Sequence, residues 1–398
     1  MKKLFFLFIF ISLMASTSEA QVRVVKSADR KLSINLAGLQ VDRDSAAQLF
    51  FQTLENDLKR SGWFAPYRGS GELQLFGKVQ RNGGKVKASC QIVRQTDRAR
   101  LFGKSYALDA DLARTLAHRV ADDIVEAITG RKGIASTKIA VVGSRSGAKE
   151  LYLCDMDGKG ITQLTQDKSI VVGPNWTPDG KSLIYTSYFR GFPDTYFHNL
   201  SGKRTSISKY PGLNSGAVVS PNGQEIALIL SKDGNPELYT KNLRSQKLTR
   251  LTRTRTAAEG SPSWSPDGQQ LVYVSDQSGT PQLYTISRSG GRPRRLSTRG
   301  SENVAPDWGP NGKIACASRS GGRYAIAIIN PASGATSVLQ PDGADYEDPS
   351  WTPDGRHLVV TRTIRYQSSL YLLDTISDPP VALLQGGGDW FSPACSPR

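Results

Sequence analysis

Beyond about residue 138 the chain is a succession of short apolar runs separated by polar turns. Leu183–Thr186, Ile226–Ile229, Leu271–Val274, Ile314–Ala317 and Leu358–Thr361 form one set. They are rich in β-branched and aromatic residues and bounded by Gly, Asn and Asp, which predicts strands. A second set follows at short distance: Thr195–His198, Glu237–Thr240, Gln282–Thr285, Tyr324–Ile329 and Leu370–Leu373. Lys247–Thr252 and Val381–Gln385 belong to a third. One phrase, Pro-x-Trp-Ser/Thr-Pro-Asp-Gly, precedes each group. It is complete at 174–180, 262–268 and 349–355, degenerate at 217–223 and 306–312, and cut off at 393–398. Its Trp-equivalent positions are 176, 219, 264, 308, 351 and 395, spaced 43, 45, 44, 43 and 44 residues apart. That period with four strands per unit describes the blades of a β-propeller.

The phrase has a local cause. Pro holds φ near about −65°, Asp follows, and Gly takes the positive φ that closes a tight turn between a blade's first and second strands. The Trp is a large apolar plate suited to packing between blades. The repeat starts out of phase: Ile139–Val142, Glu150–Leu153 and Ile161–Thr165 match second, third and fourth strands, with no innermost strand before them. The spare strand lies around Phe391–Cys395. The C-terminal strand should therefore complete the first blade and leave no open edge. Residues 138–398 are predicted to form six blades of four strands.

Residues 21–130 carry no repeat and read as a small α/β domain, with 131–137 as linker. Val22–Val25 and Leu32–Leu36 look like short strands. Ser45–Ser61 reads as a helix with Leu49, Phe50, Thr53, Leu54 and Leu58 on one face. Lys59 and Arg60 suit its C-terminal dipole, and Gly62 stops it. Glu72–Val79, Lys85–Val93 and Arg98–Tyr106 follow as an antiparallel meander. Asp111–Thr129 is a second helix, with Leu112, Leu116, Val120, Ile124 and Ile128 in register and Gly130 as cap.

Residues 1–20 read as a signal peptide: Met1-Lys2-Lys3, an apolar run Leu4–Leu13, and small residues at Ser18-Glu19-Ala20. No Cys follows the cleavage point, and no later segment is apolar enough to span a bilayer. The mature protein is expected to be soluble outside the cytoplasm, as a monomer. Net charge is +16, and +15 without Lys2, Lys3 and Glu19. Export and the scatter of the cations argue against nucleic acid. They leave a soluble basic surface, or attraction to anionic envelope polymers or lipid surfaces. Cys90, Cys154, Cys316 and Cys395 lack CxxC spacing and are expected as buried free thiols, with no redox or zinc chemistry and no cofactor.

The order of leader, α/β domain and six blades resembles the TolB family. So do Asp57-Leu-Lys-Arg-Ser-Gly-Trp-Phe64, Ile128-Thr-Gly-Arg-Lys-Gly-Ile134 and the ending Ser392–Pro397. The resemblance covers nearly the whole mature chain. It implies a non-enzymatic component of the Tol-Pal system that docks the peptidoglycan-associated lipoprotein Pal at the propeller mouth. It also implies contact between the N-terminal segment, here Gln21, Val22, Arg23 and Val24, and TolA of the inner-membrane complex. The system supports outer-membrane integrity and envelope constriction during cell division. The stretch Ala37–Arg43 is shorter than in the family, and Leu213 stands where the family carries a His.

Propeller topology suggests which face binds. The Pro-Asp-Gly turns share one face with the third-to-fourth strand turns and look structural. The loops before each innermost strand share the other, the mouth, with the second-to-third strand loops, and are free for recognition. Leu213, Asn214, Glu259, Gly260, Asn303, Glu347 and Asp348 are the candidate partner-binding residues. Seven carboxylates (Asp167, Glu259, Glu302, Asp345, Glu347, Asp348 and Asp389) would converge there. They would form either a docking rim for a partner's polar or basic groups or a cation, or ordinary solvated loop charge.

Propellers also accompany prolyl-oligopeptidase-like peptidases, but no Gly-x-Ser-x-Gly elbow is present. Of the three histidines, His118 lies off its helix's apolar stripe and is expected to be exposed, while His198 and His357 sit at strand ends. No triad assembles from them. Asp155-Met-Asp157-Gly-Lys-Gly160 resembles a calcium loop but has Gln166 where an EF-hand needs Glu, so a β-turn is expected. The remaining alternative is a periplasmic propeller binding a glycan or small ligand through Tyr188, Phe189 and Phe192 at the same mouth.

Overall fold

The computed structural model describes residues 30–397. The leader, the strand expected at Val22–Val25 and the segment Gln21, Val22, Arg23, Val24 lie outside the described residues.

The first domain is one mixed sheet covered by two helices. Its elements are β1 (Leu32–Asn35), β2 (Leu39–Val41), α1 (Ser45–Arg60), β3 (Phe64–Tyr67), β4 (Leu73–Asn82), β5 (Lys85–Arg94), β6 (Arg100–Asp109) and α2 (Ala113–Thr129). The strand order is β3-β1-β4-β5-β6, with β2 also on β4. β4, β5 and β6 form the expected meander. β1 runs parallel to β3 and β4, and β2 parallel to β4. Sequence pattern missed β2 and β3. They have three and four residues, and their pairing depends on distant partners rather than local periodicity.

Asp44 caps α1, its carboxylate accepting from the Ala46 and Ala47 amides at 2.9 and 3.4 Å. Gly130 ends α2 in the left-handed region at φ +68°. Phe50, Leu54 and Leu58 join Leu116, Val120, Ile124 and Ile128 in the core against alternate residues of β4 and β5. Leu49, expected on the apolar face, is exposed. The expected first turn of α2 is a 3-10 turn over Ala110–Leu112, and Leu112 is exposed.

The remaining sheets form six four-stranded blades in a ring. Blade 1 is Lys138–Gly143, Glu150–Asp155 and Thr162–Gln163, completed on the inside by Trp390–Cys395 from the chain's far end. The inner strands of blades 2 to 6 are Val171–Trp176, Asn214–Val219, Glu259–Trp264, Glu302–Trp308 and Asp345–Trp351. The ring closure expected from the out-of-phase repeat is therefore present. The Trp plates also join blades by hydrogen bonds. The indole N–H groups of Trp176, Trp264 and Trp351 donate to the carbonyls of Ala394, Val218 and Asp307, each on the preceding blade's inner strand.

The first domain sits on the Pro-Asp-Gly face, over blades 1 and 6. His118 corrects the sequence expectation: it is 5% exposed. Its Nδ1 lies 2.6 Å from the Asp57 carboxylate of α1 and its Nε2 4.0 Å from Asp157 of blade 1. A residue off the helix's apolar stripe is buried because a second domain covers it. Beside it, Arg114 donates to Asp155 and Asp157 at 2.7 Å each, so the Asp155–Gly160 turn is an interdomain grip. Asp122 accepts from the Ala135 and Ser136 amides and holds the linker. A Cβ on Gly133 would stand 2.2 Å from that carboxylate, so only glycine fits there.

The second contact is with blade 6. Arg356 donates to both Asp374 oxygens at 2.8 and 2.7 Å and stacks over the Trp63 ring at 4.8 Å. Burial alone would raise the Asp374 carboxyl, but the hydrogen bonds and charge of Arg356 hold it well below the usual carboxylate range. Arg356→Ala removes the hydrogen-bonded cationic partner of that buried carboxylate, leaving it the Ile376, Ser377 and Asp378 amides, and is expected to cost about 3 kcal/mol. Chemical denaturation measures this, and adding Asp374→Asn should restore part of the loss.

Candidate functional site: the propeller mouth

All six inner strands break their register at one place, between Val172/Asn175, Ser215/Val218, Gly260/Ser263, Val304/Asp307, Glu347/Ser350 and Phe391/Ala394. The bulged residues are Gly173, Gly216, Ser261, Ala305, Asp348 and Ser392, all with φ between +45° and +61°. Four are not glycine, and a left-handed non-glycine residue costs about 1–2 kcal/mol. In five of the six blades the next residue is proline. Its missing N–H costs nothing where the ladder is already broken. The bulges ring a central channel of about 380 Å³, lined at this level by Leu213, Glu259, Gly260, Ser261, Asp307 and Asp348 among others.

Of the candidate residues, Leu213, Glu259, Gly260 and Asp348 meet around this channel. Asn214 and Asn303 do not. Both are buried, and their amides latch loops. Asn214 bonds Ser208, Tyr210 and Gly212, and Asn303 bonds Gln282 and Arg299. Glu347 is half-buried on the lip beside Asp348 and Asp345, and burial followed by their charges raises its carboxyl.

The expected convergence of seven carboxylates is not what the fold presents, because most of them are engaged within the loops. Asp167 pairs with Arg204 at 2.6 Å, and Glu302 with Arg319 at 3.0 Å and the Tyr324 hydroxyl at 2.6 Å. Asp345 accepts from the Tyr324 amide, Asp348 from Ser392, and Asp389 from the Ser368 amide. Glu259 is 4% exposed with neither oxygen hydrogen-bonded. The exposed charges on this face are mainly cationic, with Arg253, Arg255, Arg299 and Arg323 along blades 3 to 5. Scattered along the sequence, these cations gave no sign of sharing a face, and knowing which loops share one requires the blade topology.

Among the described residues, His118, Asp155 and Asp157 are near enough to hold a metal ion. Arg114 and Lys138 already neutralise both carboxylates, so the cluster is an ion-pair network. Three thiols, Cys90, Cys154 and Cys316, are buried, and burial pushes each up to about 12. A larger cleft of about 680 Å³ lies on the opposite face between the turns of blades 2 and 3. Its Pro178, Asp179, Pro221 and Asn222 belong to the structural turns.

Comparison with known proteins now adds to this geometry. A family model described as the TolB beta propeller domain matches residues 125–398. The chain belongs to the TolB family. A crystal structure of TolB from Acinetobacter baumannii aligns with a TM-score of 0.83 and 25% identity, over 93% of this chain and 98% of that one. A protein TolB homolog of Chlorobium chlorochromatii is 33% identical over 199 residues, 49% of this chain and 44% of that protein. The Tol-Pal system protein TolB of Desulfosudis oleivorans is 32% identical over 183 residues, 46% of this chain and 42% of that protein. The matched region thus spans less than half the length of these curated relatives. A nidogen/laminin complex shares the fold alone, at 12% identity and a TM-score of 0.55.

Glu259 gives the site a pH signature. Burial lifts its carboxyl from about 4.5 to about 7 in the folded state. Between those values the unfolded chain has released the proton and the folded chain has not. Stability therefore falls as pH rises through that window, and the penalty is complete above it. Glu259→Gln should remove this penalty, stabilising the protein at pH 8 by on the order of 2 kcal/mol with little change near pH 4.5. Urea unfolding at the two pH values tests it.

Proposed function

We propose that this protein is a non-enzymatic, periplasmic component of the Tol-Pal system that docks a Pal-like lipoprotein at the propeller mouth. Through that contact it would support outer-membrane integrity and envelope constriction during division. The observation that carries the reading is the match to Acinetobacter baumannii TolB across both domains. The first domain occupies the Pro-Asp-Gly face, so the mouth and its channel stay open to a partner. Leu213, Gly260 and Glu347 present the lip. Asp348 and Glu259 shape it from within, and Asn214 and Asn303 brace its loops. The three histidines are buried, and His118 and His357 are each locked to an aspartate at 2.6 and 2.7 Å, which favours binding over catalysis. No helix among the described residues is long and apolar enough to cross a membrane. The segment Gln21, Val22, Arg23, Val24 is proposed to engage a TolA-like inner-membrane protein.

The test is capture from detergent-solubilised envelope by residues 21–398. The parent chain should retain a peptidoglycan-associated lipoprotein. Leu213→Asp with Glu347→Lys should weaken retention by at least about tenfold, as for substitution at a contact's centre, with unchanged thermal unfolding. Deleting residues 21–26 should abolish capture of the TolA-like protein and leave the lipoprotein bound. Failure of the folded parent chain to retain any lipoprotein, with retention of an envelope glycan instead, would replace this reading by the glycan-binding one.

A further inference from the structure

One arc of the mouth face, formed by the tips of blades 6, 1 and 2, differs from the rest. The tips are physically continuous. The Ser368 amide donates to the Asp389 carboxylate, the Asp389 amide to the Ser144 hydroxyl, and the Ser144 amide to the Asp389 carbonyl. Lys149 bridges to Ile170, and the Tyr188 amide donates to the Ile170 carbonyl. This arc carries five of the exposed large hydrophobic side chains among the described residues: Ile170, Phe189, Phe192, Ile364 and Tyr366. Phe192 is 70% and Tyr366 98% exposed, so no pocket of the protein holds either ring. Between them stand Arg145, Lys149, Lys168, Arg190 and Arg365, all exposed. None of the five forms an ion pair with a carboxylate among the described residues, whereas Asp167, the acid nearest Ile170 in the chain, is consumed by Arg204.

We propose that this arc is a peripheral contact surface for a bilayer bearing anionic phospholipid headgroups. Apolar side chains on protruding hairpin tips, interleaved with cations that have no carboxylate partner among the described residues (Lys149 rests over the Phe391 ring at 4.7 Å), match the interfacial zone of a membrane. There rings and aliphatic groups sit at headgroup depth and Lys and Arg meet phosphate. A protein partner is disfavoured. Protein interfaces seat their aromatic anchors in desolvated pockets with charge depleted from the centre, whereas here Phe192 and Tyr366 stand free, Arg204 stacks over Phe189 at 4.6 Å, and exposed cations lie among the rings. The inference goes beyond lipoprotein docking and is tested without any lipoprotein.

Residues 21–398 are sedimented with vesicles of phosphatidylcholine alone and of phosphatidylcholine with phosphatidylglycerol. Binding is expected only to the anionic vesicles, weakening as salt screens the cations. Arg190→Gln with Arg365→Gln should lower the partition coefficient at least about tenfold, since each cation near an anionic surface contributes about 1 kcal/mol. Phe192→Ser with Tyr366→Ser should lower it as well. Arg255→Gln with Arg299→Gln, outside the arc on the same face, should leave it nearly unchanged. All these side chains are exposed, so thermal unfolding should match the parent. The proposal is overturned if the anionic vesicles do not retain the protein. It is equally overturned if the Arg255/Arg299 pair matters as much as the arc pair, if the aromatic pair binds like the parent, or if soluble polyglutamate is retained while vesicles are not.

Discussion

The structure depends on one strand pairing. Trp390–Cys395 adds to Lys138–Gly143, joining segments some 250 residues apart in the chain and turning a row of blades into a ring. Closing so long a loop carries an entropic cost that grows only slowly with length, and the contacts at the seam offset it. Lys138 and Ser396 exchange hydrogen bonds at 2.8 and 2.9 Å. Trp390 packs edge-on against Tyr152 at 5.3 Å, and Trp176 of blade 2 donates to Ala394 of the closing strand. Without the seam, Lys138–Gly143 would be an open edge, and Trp176 of blade 2 would lose its hydrogen-bond acceptor.

The first domain is fastened to the blades on either side of that seam. Arg114 grips blade 1, and Arg356 of blade 6 stacks on Trp63. The Arg356–Asp374 pair is withdrawn from water, which makes it costly to bury and costlier to break, whereas Arg114 remains partly exposed. His118 lies between the domains, hydrogen-bonded through Nδ1 to Asp57 at 2.6 Å, with its Nε2 facing Asp157 of blade 1 at 4.0 Å. This side of the ring is committed to structure, and the first domain leaves the opposite face uncovered.

On that free face the inner strands carry six bulges at equivalent positions. A bulge bends the strand and releases backbone groups from the ladder, which shapes the channel wall with main chain as much as with side chains. The loops above are stiffened by their own carboxylates. The acids therefore turn inward to Arg204, Arg319 and Ser392, while cations and hydrophobic tips are left outside.

The sequence by itself determined the six blades, the Pro-Asp-Gly turns, the closing strand and both helices. Each rests on interactions among residues near in the chain or on a period repeated six times. It did not disclose β2 and β3, the burial of His118, the inward turn of Asn214, Asn303 and Glu259, or the basic, partly apolar character of the mouth. Those depend on which distant segments become neighbours. A carboxylate in a loop has the same sequence signature whether it meets water or an arginine, and only the assembled ring decides which.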